Sequence, residues 1–236
     1  MKFKCRSGTV IIRRVIFIVM ARATQQKQNT RDRILDAAEE LFAQRGYEGV
    51  SVRQIMSQAG ADVSLAYYHF KSKRDLFDQV MLRKVETLNK LRLDALDAVE
   101  SRHPDDAPTV EEIIGAFTNP LLDLLARDHE EWKHYFQLIA QINSSSEWGG
   151  ELMTRYFDPL VSRFIDALRK ALPDCSDEDL YWSYHFLSGA LTLTFAETGR
   201  IDNLSGGRCR SSDMQSINER MPAFLAAGFR ALATRS

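Results

Sequence analysis

The residues best suited to do chemistry lie between Ser51 and Phe70, in the run SVRQIMSQAGADVSLAYYHF. Ser51 and Arg53 bring side-chain donors to the start of a predicted helix, where free backbone N–H groups also attract an anion. Such a set can bind a phosphate. The sequence contains no glycine-rich phosphate loop, no nucleophile elbow and no Cys/His cluster, so we expect recognition here rather than catalysis.

Two short helices joined by a tight turn must position these residues. Ser51 and Gln54 have the spacing of a capping box. Gly60 is a stop signal for the first helix, and Asp62 can cap a second one at about Val63–His69. This pattern is typical of a DNA-binding helix-turn-helix, in which the second helix enters the major groove. An ordinary helical hairpin is the alternative.

Charge is unevenly distributed along the 236 residues, although the net charge is only −1. Residues 1–75 hold 14 Lys and Arg against 7 Asp and Glu, whereas residues 76–236 hold 17 against 25. A basic front end and an acidic remainder fit a nucleic-acid-binding head on a body with another task. Five of the front basic residues precede Met20, so the charge supports this reading without proving it.

The N-terminal residues and the cysteines indicate where in the cell the protein is expected to be. The apolar run Val15–Met20 is far too short to span a bilayer, which takes about 20 residues. We expect residues 1–29 to be a disordered or spurious N-terminal extension, with Met20 as the true start, and no membrane association. The three cysteines have no paired spacing, so we predict no metal site, no cofactor and a cytoplasmic location.

A first helix at about 31–45, capped by Thr30, and a fourth that begins near Lys73 flank the helix-turn-helix. The whole segment, ILDAAEELFAQRGYEGVSVRQIMSQAGADVSLAYYHFKSKRDLF, resembles the N-terminal domain of the TetR family of transcriptional repressors. The resemblance covers about residues 30–80. It implies an all-α protein with a three-helix helix-turn-helix DNA-binding domain at 30–75 and a C-terminal helical ligand-binding and dimerisation domain at 76–236.

The resemblance also implies roles for individual residues. Residues at the start of the second helix of the motif reach base edges in the family, and here they are small or apolar, suited to thymine methyl groups. Aromatic residues at its end and a lysine at the start of the next helix match phosphate-contacting positions. Where the family often has Val-Ser at the turn, this chain has Ala61-Asp62. The predicted DNA-contacting residues are Ser51, Arg53, Val63, Ser64, Leu65, Tyr67, Tyr68, His69 and Lys73.

The body is predicted to be helical throughout. Helices are expected at about 76–101, 110–127, 129–143, 151–172, 178–198 and 214–234, with 200–212 as a loop. Pro120 and Pro159 are expected to kink or restart two of them. The helix at 178–198 is apolar on two sides, which requires two partners. In the TetR family the last two helices form a four-helix dimer interface, so the resemblance implies a homodimer.

The body is also expected to hold an apolar small-molecule effector between its helices. The segment LTFAETGRIDNLSGG is similar to family members that sense fatty acids or their CoA esters, and an aromatic compound is a further option. Ordinary core packing is the competing role for each aromatic residue. The predicted ligand-binding residues, apolar walls and polar anchors together, are Trp132, Phe136, Ile139, Arg155, Phe157, Phe164, His185 and Phe186.

The predicted function is a homodimeric repressor that an apolar small molecule releases from its operator. Three other functions compete with this prediction. His129, Glu130 and His134 look like a zinc-protease motif, but the two histidines are five residues apart and do not share a helix face as H-E-x-x-H requires. No catalytic residues are therefore predicted. An activator, or a helical small-molecule-binding or interaction protein without operator binding, remains open.

Overall fold

The computed structural model of the protein describes residues 29–145 and 149–234. The part of the chain that it describes is helical and contains no strand, which confirms the predicted all-α class. The helices are α1 (29–45), α2 (Val52–Gln58), α3 (Val63–His69), α4 (Lys73–Glu100), α5 (Val110–Arg127), α6 (His129–Asn143), α7 (Gly149–Ala171), α8 (Asp177–Ala196), α9 (Arg200–Leu204) and α10 (Met214–Ala233). The chain divides between Val80 and Met81 into two compact units.

The first unit is a small helical head. Its core consists of buried apolar residues from α1, α2 and α3, as the periodicity of the sequence predicts: Leu35, Ala38, Phe42, Ile55, Ala59, Ala66 and Phe70. One detail of α1 was predicted wrongly. Residue 29 is already helical, so Thr30 lies within the helix and does not cap it, and residue 29 belongs to the head rather than to an extension. The rest of the predicted extension lies outside the described residues.

The first turns of α4 belong to the head core. Leu76, Phe77 and Val80 are buried, and the ring of Phe77 meets that of Phe42 edge-on with 5.2 Å between centroids. This packing explains why the division falls five residues later than the predicted boundary at 75: the start of α4 buries its apolar side against α1.

The later part of α4 buries a stripe that includes one charged residue. Leu88, Arg92 and Leu96 are each at most 4% exposed and follow one another at four-residue intervals, so they share one helix face. Val99 continues the stripe. Leu91, the residue before Arg92, is 37% exposed. The buried position beside it is occupied by an arginine.

The second unit contains the later part of α4 and helices α5 to α10. Pro120 and Pro159 lie inside the continuous helices α5 and α7, so of the two predicted outcomes, a kink or a restart, the restart is wrong. The segment 200–212 is not wholly a loop, because Arg200–Leu204 forms the single turn α9 after Gly199 in the left-handed conformation. Within residues 29–145 and 149–234, no helix is long and apolar enough to cross a membrane.

Candidate nucleic-acid interface and effector cavity

The start of α2 is fixed by the predicted capping box. The Ser51 hydroxyl accepts a hydrogen bond from the Gln54 amide N–H at 3.3 Å, and the Ser51 amide donates to Gln54 Oε1 at 2.8 Å. These two bonds close the helix end while both Ser51 and Arg53 stay exposed. An exposed serine, an exposed arginine and a helix N-terminus form a suitable cradle for one phosphate group.

The turn between α2 and α3 depends on a glycine and an acid. Gly60 has φ 59°, in the left-handed region, and Asp62 Oδ1 accepts a hydrogen bond from the Ser64 amide at 2.8 Å. Hydrogen bonds from the side chain and the backbone of Ser64 lower the pKa of Asp62. Helix α3 therefore begins with an ionised carboxylate on its N-cap.

Helix α3 presents most of the predicted DNA-contacting side chains to the outside. Tyr67 is 71% exposed and Tyr68 is 63% exposed, and Val63 and Ser64 are exposed as well. Leu65 and His69 are half-buried, and the helix is fastened to the core through the buried residue Ala66. The His69 ring meets the Tyr68 ring edge-on at 5.0 Å. The exposed side of α3 thus combines small and apolar residues at its start with aromatic residues at its end.

Lys73, at the first position of α4, is half-buried rather than extended into solvent. Its ammonium nitrogen lies 4.2 Å from the centroid of the Tyr47 ring. That ring is itself packed edge-on against Phe77 at 5.1 Å and tilted against Phe42 at 5.7 Å. Partial burial raises the pKa of Tyr47, so the ring remains a neutral phenol. The position of the charge is therefore fixed by the aromatic core of the head.

The body contains a small internal cavity of about 40 Å³. This is room for a few water molecules, and it is far below the ~300 Å³ of a typical ligand pocket. Side chains from α4, α5, α6, α7 and α8 form its walls. They are Leu88, Arg92, Phe117, Leu121, Phe136, Ile139, Asn143, Met153, Phe157, Val161, Tyr184, Ser188, Leu191, Thr192 and Phe195.

Three predicted ligand-binding residues lie on the wall of this cavity: Phe136, Ile139 and Phe157. Two more predicted residues do not line the cavity but pack against residues that do. Phe164 is buried and meets the wall residue Phe117 edge-on at 4.9 Å, and the half-buried Trp132 packs at 6.0 Å against Phe136.

The other three predicted ligand-binding residues lie at the surface and do not line the cavity. Arg155 and His185 are exposed, and Phe186 is 57% exposed. The reason is helical phase. In α8 the buried side carries Leu187 and Leu191, so Phe186, one position before Leu187, lies on another side of the helix. The predicted polar anchors are thus absent from the cavity wall.

An arginine that was not among the predicted ligand-binding residues lines the cavity instead. Arg92 is 4% exposed, and its Nη2 donates a hydrogen bond to Asn89 Oδ1 at 2.7 Å. The guanidinium carbon lies 4.8 Å from the Phe117 ring centroid and 5.6 Å from that of Phe157. Nε has no hydrogen-bond acceptor among the described residues. The four-residue spacing from Leu88 to Arg92 to Leu96 was the signal that could have revealed it.

His129, at the start of α6, pairs with a carboxylate at the end of α8. His129 Nε2 lies 2.9 Å and 3.0 Å from the two carboxylate oxygens of Glu197, which caps the end of α8 with φ 42°. This contact joins the start of α6 to the end of α8. Within the described part of the chain, no three His, Cys, Asp or Glu side chains are grouped so that they could hold a metal ion.

A second concavity is an open groove of about 570 Å³ along α8, α9 and α10. Its floor is apolar, with Leu193, Ile217 and Met221 among the lining residues, and several arginines stand along it. Large apolar side chains on the same helices are exposed. They are Tyr181, Trp182, Phe186, Leu193, Ile201, Leu204 and Phe224.

Comparison with known proteins gives matches for both units. A family model described as bacterial regulatory proteins of the tetR family matches residues 34–80, and one described as a tetracyclin repressor-like C-terminal domain matches residues 115–228. The chain is 36% identical over 92 residues to the HTH-type transcriptional regulator AcrR of Shigella flexneri, a match that covers 39% of this chain and 41% of AcrR.

A longer match is to the HTH-type transcriptional repressor BepR of Brucella suis, at 30% identity over 133 residues. It covers 56% of this chain and 58% of BepR. The chain thus spans between about two fifths and three fifths of these curated relatives. A solved structure of a putative tetR family regulator from a Shewanella species superposes with a TM-score of 0.61 at 15% identity, over 87% of this chain and 99% of that one. That similarity supports the fold.

Proposed function

Because the chain belongs to the TetR family of transcriptional regulators, we propose that it is a homodimeric repressor that an apolar small molecule releases from operator DNA. The observation that carries the proposal is the exposed face of α3 beside the fixed charge of Lys73. Membership of a family of DNA-binding regulators also favours regulation over enzymatic activity. Operator binding places the protein in the cytoplasm.

The DNA-binding part of the proposal divides the head residues by role. Ser51, Arg53 and Lys73 contact phosphates and so fix position, whereas Val63 and Leu65 contact base edges and so specify sequence. Apolar residues at the start of a recognition helix suit the methyl group of thymine. The operator is therefore expected to carry A·T pairs where α3 enters the major groove.

Dimerisation rests on the exposed apolar side of α8 and α10. An apolar surface of several large side chains is rare on a monomer and marks an interaction site. The family resemblance supports a second copy of the chain as the occupant. The groove of α8, α9 and α10 would then be covered in the dimer. A two-fold dimer presents its recognition helices to half-sites about one helical turn, ~34 Å, or somewhat more apart.

Release requires an energetic coupling between effector and DNA. Helix α4 begins with Lys73 in the head and carries Leu88 and Arg92 on the cavity wall, so it is one continuous element that both ligands contact. The effector must bind better to the form that does not bind DNA, and DNA must weaken effector binding by the same factor. The small size of the cavity indicates that the effector selects a more open form.

The test is a gel shift against the intergenic DNA upstream of the protein's own gene, at low salt and with unrelated duplex as competitor. A retarded band that the competitor does not remove is expected, as is its loss on addition of an effector found in a thermal-shift screen of fatty acids, acyl-CoAs and aromatic compounds. Transcription from that DNA in vitro then separates repression from activation. The absence of any retarded band would contradict the proposal.

A further inference from the structure

We propose that Arg92 is an anion-binding residue and that the effector is an apolar monocarboxylate whose carboxylate pairs with the Arg92 guanidinium inside the body. This inference rests on the proposed function in placing the effector at the internal cavity, and it goes further by naming the chemical class of the ligand and the residue that recognises it.

The first step is the charge balance of the cavity. Burial lowers the pKa of Arg92 to about 10, which leaves the guanidinium protonated at neutral pH. Among residues 29–145 and 149–234, no carboxylate lies within ion-pair distance of it, and the polar residues with which it interacts are neutral. Buried charges in proteins are ordinarily paired, because removal of an ion from water costs several kcal/mol. Arg92 is therefore a cation that lacks its counter-ion.

The second step is a comparison with other buried or bridging cations of the body. Lys84 is 7% exposed, but it donates to the Glu131 carbonyl at 2.7 Å and lies 3.3 Å from the Glu131 carboxylate. Arg163 holds Glu100 through two hydrogen bonds of 3.1 Å and 2.6 Å. Both cations have acidic partners within the fold. Arg92 has no acidic partner among the described residues, although it is the most deeply buried of the three cations.

The third step is the shape of the surroundings. The guanidinium plane is bounded by the rings of Phe117 and Phe157, and the aliphatic and aromatic wall continues through Leu88, Leu121 and Phe136. A fork of N–H donors set in an apolar wall matches a planar carboxylate with an apolar tail. A neutral apolar molecule would fill the cavity but leave the charge of Arg92 unpaired. A cationic molecule would be repelled by that charge.

The experiment measures binding to the full chain by isothermal titration calorimetry without DNA. The probes are hexanoate, decanoate, palmitate and phenylacetate, each against its methyl ester. Because a charge-assisted hydrogen bond contributes roughly 1.5–3 kcal/mol, we expect the best acid to bind about 10- to 100-fold more tightly than its ester. Equal affinity of acid and ester, or no binding of any acid to the wild-type chain, would overturn the inference.

Two substitutions of the same kind provide the matched comparison. Arg92→Gln should weaken binding of the acid by about the same 10- to 100-fold and leave the ester unchanged. Arg155→Gln removes an exposed arginine of α7 and should change neither affinity. Arg92→Lys keeps the positive charge but removes the paired N–H donors of the guanidinium, so its affinity for the acid should lie between those of wild type and Arg92→Gln. If Arg92→Gln fails to fold, the acid-to-ester contrast in the wild-type chain still decides.

This readout separates the inference from the proposed function. If decanoate binds through Arg92 but leaves operator affinity unchanged, the effector-release mechanism is wrong and the anion site stands. If a neutral compound releases the operator equally from wild type and Arg92→Gln, the repressor mechanism stands and the anion site is wrong.

Discussion

The ammonium nitrogen of Lys73 lies 4.2 Å from the centroid of the Tyr47 ring. A lysine on the surface would otherwise lose about 2 kcal/mol of side-chain entropy when it fixes on a phosphate. The Tyr47 ring, held by Phe42 and Phe77, already restricts the side chain before DNA arrives. The head is thus partly preorganised for the phosphate contact.

Lys73→Ala should weaken binding to every duplex sequence alike, because a phosphate contact carries no sequence information. The slope of log affinity against log salt should become shallower by about 1. Fluorescence anisotropy with operator and scrambled duplexes, over a series of salt concentrations, measures both quantities. Lys90→Ala is the matched control, since Lys90 is an exposed residue of the same helix paired with Asp94. A sequence-dependent loss would contradict the assigned role.

Asp62→Asn should strengthen DNA binding. Asparagine keeps the cap on α3 but removes a negative charge at the end of the helix that we propose faces DNA. Because an interaction between two exposed charges amounts to about 0.2–1 kcal/mol, loss of the repulsion between this carboxylate and the phosphates should raise the affinity by up to about 5-fold. Asp213→Asn, the same change at the N-cap of α10 in the body, should have no effect on DNA. Unchanged affinity of the Asp62 variant would show that its carboxylate lies away from the phosphates.

Phe186→Glu should convert a dimer into monomers. The side chain is 57% exposed on α8, and a buried unpaired carboxylate would cost several kcal/mol in an interface. Sedimentation velocity at several concentrations measures the change. Leu91→Glu is the control, because Leu91 is an exposed leucine of α4 away from that surface. If the Phe186→Glu chain remains dimeric, the dimer interface does not include this part of α8.

Gly149→Ala should destabilise the body. A Cβ at Gly149 would lie 1.9 Å from the carbonyl oxygen of Ile142, so the end of α6 and the start of α7 approach too closely for any side chain. Overpacking of this kind costs about 1–3 kcal/mol in the free energy of unfolding. Gly150→Ala has open space and should instead stabilise by up to about 1 kcal/mol through helix propensity. Urea unfolding of both variants gives the comparison, and equal stabilities would contradict the close approach.

Acid should weaken the start of α5 in a defined pH range. Hydrogen bonds from the Thr109 backbone, from His103 and from the Thr109 side chain lower the pKa of Glu112 from 4.5 to about 2. The folded pKa is below the unfolded one, so the carboxylate stabilises the fold above pH 4.5 and loses that effect as the pH falls toward 2.

Glu112→Gln provides the control, because glutamine also serves in a capping box but does not titrate. The difference in free energy of unfolding between wild type and variant should shrink as the pH falls from 4.5 toward 2. Urea unfolding at several acidic pH values measures it. A difference that does not vary with pH would show that the carboxylate is not engaged.

The helices could be read from the sequence because their signals are local. The Ser51–Gln54 capping box and the Asp62 cap lie within four residues of the positions they fix, and the structure contains both. The loop predicted at 200–212 was less accurate, because the chain turns through the left-handed residue Gly199 and resumes helix for one turn in α9.

The cavity was harder to predict because it depends on contacts between helices distant in sequence. Phe136, Ile139 and Phe157 were found because large apolar residues in the body are usually buried. Arg155 and His185 were selected by residue type alone, and their helical phase places them at the surface. Arg92 was missed because arginine is rarely buried, although the leucines four residues before and after it marked its face. The DNA-contacting residues themselves stay predictions until an operator is tested.

The small volume of the cavity sets how fast the protein can respond. A ligand that enters only when the helices part must wait for that opening, so its observed association rate should level off at high ligand concentration instead of rising in proportion to it. Helix rearrangements of this kind take microseconds to milliseconds or longer. Association of the effector would then be limited by the opening of helices α4 to α8, and not by diffusion.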